Sequence, residues 1–278
     1  MHDHPEITPE FKQVNADRIT QLPKVALTAT GPLQPLIDDN VVYAEIHISS
    51  LDIPEPDDRI DARYIISADR SILNAQEVAE LARGTIAARN RDPRVVGFAL
   101  AGEGPVATHA NALDLLARRF VPVTISAPGG ISTISEAVSN GAQRLTRAVD
   151  IYEDFDATVD GITAGAVSSW VRDRGITVEL TPNADVAAGV VDDIVDHPLT
   201  LLQQMAFTCA INPTEGSTLT DEFVTLADTY GYGYDEFFDL TTAALNSSFA
   251  RADERREILA TRILPTYEKM SGSENDEA

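Results

Sequence analysis

The chain has 278 residues, 44% of them hydrophobic, enough for one large core or two small ones. It sets 21 Lys and Arg against 44 Asp and Glu, a formal net charge of −23. A surface that acidic repels phosphate backbones and anionic lipid, which argues against nucleic acid and membrane as partners.

Met1-His-Asp-His-Pro-Glu has no basic or apolar leader pattern, so a cytoplasmic chain with a flexible segment over 1–20 is expected. The pair His2 and His4 sits in that segment with nothing to fix its geometry, and reads as solvated chain. Eight β-rich runs follow: Lys24–Thr30, Val41–Ser49, Ala62–Ser67, Val95–Ala101, Val121–Ala127, Arg144–Val149, Ile176–Pro182 and Ala206–Asn212. Several are nearly continuous apolar runs, the pattern of parallel strands covered on both faces. Amphipathic stretches separate most of them: Ala75–Arg89, Asn111–Phe120, Ser132–Asn140 (with Ser132 as cap), Gly165–Arg174 and His197–Met205. Two or three more helices are expected over Thr220–Tyr230, Tyr234–Phe249 and Ala252–Lys269, then an acidic, disordered tail over 271–278.

Strands and helices alternating over about 250 residues predict an α/β fold, a (β/α)8 TIM barrel, rather than an open doubly wound sheet, whose glycine-rich phosphate loop is missing. Only Gly31–Asn40 separates the first two strands, so the first β–α connection is short and the helical layer thin there. No linker divides residues 21–270. Cys209, the sole cysteine, lies in an apolar run and reads as a core thiol; neither a disulfide nor a thiolate zinc cluster is available.

In such a barrel the working side chains project from the C-terminal strand ends. Along the chain stand Leu22-Pro-Lys-Val-Ala-Leu-Thr-Ala-Thr, Val95-Val-Gly-Phe-Ala-Leu-Ala-Gly-Glu, Ile176-Thr-Val-Glu-Leu-Thr-Pro-Asn-Ala-Asp-Val, His197-Pro198, Ser217-Thr-Leu-Thr-Asp-Glu-Phe and Ser248-Phe249. This series resembles the adenosine deaminase family of metal-dependent hydrolases, whose landmarks read L-P-K-x-E-L-H-x-H, V-V-G-x-D-L-A-G-x-E, E-V-C-P-x-S-N-V, H-P, T-L-S-D-E and S-F. The resemblance implies a zinc-dependent purine nucleoside deaminase by descent.

The chemistry it implies is missing residue by residue. The first-strand H-x-H falls on Thr28 and Thr30, just before Gly31. The H-A-G-E motif falls on Ser126 and Gly129, removing its histidine and its proton-donating glutamate. The zinc histidine of R-I-G-H-G falls on Arg147, and the T-D-D-P aspartates on Ile211 and Asn212. Catalytic zinc needs about three His, Asp, Glu or Cys ligands, and isoleucine and arginine are none of these. Of the remaining histidines, His109 and His197 precede helices, and His47 alone lies near a strand end, where a hydrogen-bonded structural role is the simpler reading. No zinc or other cofactor is therefore expected, and the chain reads as a pseudoenzyme with a binding or regulatory role. Its partner would be a small molecule or a protein.

The alternatives are a residual nucleoside deaminase or hydrolase, or a barrel repurposed for an anionic ligand. In the last, a buried Arg147 would hold phosphate or carboxylate, assisted by Thr28, Thr30 and Ser126. The plainer reading pairs Arg147 with Glu103 or Asp185. Ser126 as a nucleophile lacks any base placed beside it.

Overall fold

Alternation along the strands builds this molecule: every second residue turns toward the barrel axis, the others toward the surrounding helices. The computed structural model describes residues 16–159 and 161–275, with side chains described to residue 270. Its strands are β1 Lys24–Ala29, β2 Val41–Ile48, β3 Asp61–Asp69, β4 Val95–Ala101, β5 Val123–Ser126, β6 Arg144–Thr146, β7 Phe155–Thr158, β8 Gly161–Ala164, β9 Thr177–Leu180 and β10 Cys209–Ile211. Eight of them form one parallel sheet in the order β1-β2-β3-β4-β5-β6-β9-β10. All eight expected strands are present in the expected order; β4 keeps its expected bounds, β3 is longer and the other six are shorter.

On the axial face the alternation places polar side chains: Glu45 and His47 on β2, Thr124 and Ser126 on β5, Arg144 and Thr146 on β6, and Glu179 on β9. The barrel closes without a backbone ladder between β10 and β1. Instead Asn212 Oδ1, just past β10, accepts hydrogen bonds from the Leu27 and Thr28 amides at 2.7 and 3.0 Å.

Helices cover the outer face: α1 Gln34–Asp38, α2 Ala75–Arg89, α3 Ala110–Ala117, α4 Ile131–Ser139, α5 Ala166–Asp173, α6 Pro182–Ala187, α7 Leu199–Gln204, α8 Leu219–Tyr230, α9 Tyr234–Ser247, α10 Ala252–Ile258 and α11 Leu264–Asn275. Helix α2 has a full capping box, Asn74 accepting from Gln76 and Glu77 while Glu77 bonds back to Asn74. The first helical layer is thin as expected: α1 is five residues long, and no helix at all lies between β2 and β3. Leu51, in that helix-free connection, covers α2 instead. A Cβ on Gly84 would sit 2.5 Å from Leu51 Cδ1, so glycine makes room for the loop.

Several local expectations are corrected. Helix α4 is not capped by Ser132; its N-cap is Gly130 at φ 95°, whose amide bonds to Asp150 Oδ2. The antiparallel hairpin β7–β8 was not foreseen, because its exposed residues carry no apolar face to mark them. The last long helix is divided by a π turn over Leu259–Ile263. Residues 16–21 are helical, and α11 runs on to Asn275. Residues 1–15, with His2 and His4, and 276–278 lie outside the described residues.

Candidate functional site

A cavity of about 1440 Å³ opens at the C-terminal ends of the strands. Thr28, Thr30, Gly31, Glu103, Ser126, Gly129, Arg147, Asp185 and Asn212 all line it, so nine of the ten positions singled out in the sequence converge in space. Ile211 does not: it is 2% exposed and packs in the core. Gly31, Pro32, Pro35 and Leu36 from the short first connection form one wall.

Arg147 departs from the buried role considered for it. Its side chain is 57% exposed, and its backbone is left-handed at φ 54°. It pairs at the rim with Glu103 Oε1 at 3.0 Å, which is the plainer of the two readings. Asp185 instead meets His197 Nε2 at 3.2 Å. The Leu199 amide donates to His197 Nδ1, so the network assigns the ring proton to Nε2, facing Asp185.

The buried arginine is Arg144, which the sequence reading passed over. Its Nη1 lies 2.5 Å from Glu45 Oε2, and its Nε 2.9 Å from Glu179 Oε1. All three side chains are at most 1% exposed. The guanidinium also stacks 3.9 Å from the Phe249 ring centroid. Glu45 Oε1 accepts from the Tyr43 hydroxyl at 2.8 Å and the Phe249 amide at 2.6 Å. Burial raises the Glu45 carboxyl above its usual range, opposed by Arg144 and that amide. Glu179 Oε2 accepts from Thr28 Oγ1 and Asn212 Nδ2, both at 2.7 Å, and Oε1 from Thr124 Oγ1 at 3.4 Å. A signal for this triad was present in the sequence. Charged residues inside apolar parallel strands must face the axis, and there they need one another.

His47 lies 3.4 Å from Thr28 Oγ1. Burial, then the charge of Arg144, lowers its pKa to about 3, so the ring is neutral. Arg70 lines the cavity, but its guanidinium is spent on the carbonyls of Gly104, Leu100, Ala101 and Ser126. Ser126 Oγ is buried without a hydrogen-bond partner. The Cys209 thiol is buried and pushed up to about 12, which leaves it unreactive.

The adenosine deaminase family model matches residues 36–263. The chain belongs to the adenosine deaminase family. It is 33% identical over 225 residues to an adenosine deaminase of Mycobacteroides abscessus, covering 77% of this chain and 61% of that protein. It is 31% identical over 281 residues to that of Mycobacterium avium, covering 86% and 75%. The chain thus spans about three fifths of the first of these relatives. Among solved structures, the apo N6-methyl-AMP deaminase of Arabidopsis thaliana superposes with a TM-score of 0.70 at 15% identity, covering 87% of this chain and 96% of that one. That likeness shows the fold, a parallel α/β barrel.

The zinc that the family implies does not fit the residues present. At the four ligand positions stand Thr28, whose hydroxyl is given to Glu179, the exposed Thr30, the rim cation Arg147 and the core side chain Ile211. Among the described residues, no three His, Cys, Asp or Glu side chains are grouped to hold a metal ion. No helix among them is long and apolar enough to cross a membrane.

Proposed function

We propose that this member of the family does not carry out zinc-dependent deamination, and that its barrel is a metal-free binding protein whose cavity receives a small molecule. The observation that carries this reading is the closed set of hydrogen bonds among Thr28, Glu179 and Asn212. Zinc-assisted hydrolysis needs open ligand atoms and a water brought to a pKa of about 7. Here the polar atoms of these three side chains are bonded to each other. The only carboxylate among the three serves as their common acceptor, and Gly129 stands where the resemblance places the proton donor.

The test is zinc content, by inductively coupled plasma mass spectrometry, of protein purified without a histidine tag or chelator, together with ammonia release from adenosine. The expected result is zinc far below one per chain and no ammonia above a protein-free control. About one zinc per chain, with turnover, overturns the proposal.

A further inference from the structure

We propose that the cavity takes a small organic cation, its protonated amine seated over the row formed by Ser126, Thr146 and Glu179. The inference rests on the reading of the barrel as a metal-free binding protein, and names the ligand class for that same site.

Three observations converge on it. The first is charge. Six carboxylates line the cavity against two guanidiniums. Neither guanidinium offers itself to an anion: Arg147 is paired with Glu103, and Arg70 is bonded to four carbonyls. The second lies beneath the floor. Arg144 is one cation between two carboxylates, Glu45 and Glu179, and the neutral His47 adds nothing. The bonds that converge on Glu179 come from hydroxyl and amide donors, so it is held as an acceptor. Two carboxylates thus share one guanidinium, close under the cavity in a setting that screens poorly.

The third observation is Ser126. Its residue is 5% exposed, and its hydroxyl lacks a partner. A buried hydroxyl left unbonded is costly unless something completes it. Strand register sets Ser126 opposite Thr146, and Thr146 opposite Glu179, so the three share one face in a row. Strands are about 4.8 Å apart, which puts an amine over Thr146 within reach of both neighbours. An ammonium supplies three donors and no acceptor, the complement of this row. The apolar side chains Leu36 and Val149 leave room for a hydrophobic body above it.

The test is a ligand-observed NMR titration at pH 7 with three probes matched in size: 2-phenylethylamine, 2-phenylethanol and phenylacetate. The amine is expected to bind saturably, at least tenfold more tightly than the alcohol, and phenylacetate not at all. Ser126→Ala should fold as the wild type, since its hydroxyl makes no bond, and should weaken the amine about fivefold. Asp173→Asn, which removes an exposed charge outside the cavity, should leave the affinity unchanged and so separates site binding from general attraction to an acidic surface. Equal affinity for the alcohol, preference for phenylacetate, no saturable binding of the amine, or indifference to Ser126→Ala each overturns the inference. A metal-free protein that ignores the amine defeats this inference alone, whereas one zinc per chain with turnover removes the reading beneath it.

Discussion

Asn212 fastens the last strand of the barrel to the first, its side-chain oxygen accepting from the Leu27 amide at 2.7 Å while its Nδ2 donates to Glu179 at 2.7 Å. One amide group thus performs two tasks of opposite polarity. Asparagine suits both; aspartate suits one. Asn212→Ala should cost about 2–4 kcal/mol, because two buried backbone amides lose their acceptor. Asn212→Asp keeps the acceptor but sets a second carboxylate against Glu179, and like charges favour protonation of one of them. Urea denaturation is expected to show the aspartate variant destabilised at pH 8 and partly restored at pH 5. Equal loss at both pH values would contradict this.

Arg144 bridges Glu45 and Glu179 within the barrel. Removing one partner of a buried charge network leaves the others uncompensated. Arg144→Met should therefore lower stability by about 3–5 kcal/mol. Because Glu179 is the shared acceptor of Thr28 and Asn212, the loss should be accompanied by weaker protection of the Leu27 and Thr28 amides in hydrogen exchange.

Gly97 on β4 exists for Phe249. A Cβ there would sit 2.5 Å from Phe249 Cδ2 and 2.9 Å from Ile65 Cδ1. Gly97→Ala should push the ring off Arg144 and destabilise the fold by about 1–3 kcal/mol through overpacking. Thermal melts of Gly97→Ala beside a surface Gly175→Ala control distinguish crowding from backbone effects: no atom lies within 4 Å of a Cβ at Gly175, where only the strain of φ 61° is added.

Glu222, on α8, is buried, and its pKa is raised to about 7 chiefly by that burial. Its Oε2 accepts from the Asn183 amide, and its Oε1 has no partner. A raised folded pKa means stability present at low pH and lost as pH rises through the folded value. Relative to Glu222→Gln, the wild type should lose stability between about pH 4.5 and pH 7, by a total on the order of 3 kcal/mol. Chemical denaturation of both proteins across that range checks it; parallel curves would refute it.

Read along the chain, the fold was legible because its signals are local. The β-rich runs, several of them nearly continuously apolar, set the eight strands, helix periodicity set Ala75–Arg89 to the residue, and ten residues between the first strands forced a thin helical layer. The site positions were legible through the resemblance to the family, and nine of ten meet in one cavity. The hairpin over 155–164 was not, since its strands are exposed and lack a periodic apolar face.

What the sequence by itself determined is which chemical groups stand at the strand ends, and hence that zinc has no set of ligands there. What only the tertiary structure decided is where each charge lies. Arg147 and Arg144 differ by three residues in the chain, yet one lies exposed at the rim and the other is enclosed between Glu45 and Glu179. Strand alternation points Arg144 at the axis, whereas the chain leaves β6 after Thr146 and turns left-handed at Arg147. Burial and pairing depend on partners 99 residues away for Arg144 and 44 for Arg147, and only the closed barrel brings those partners together.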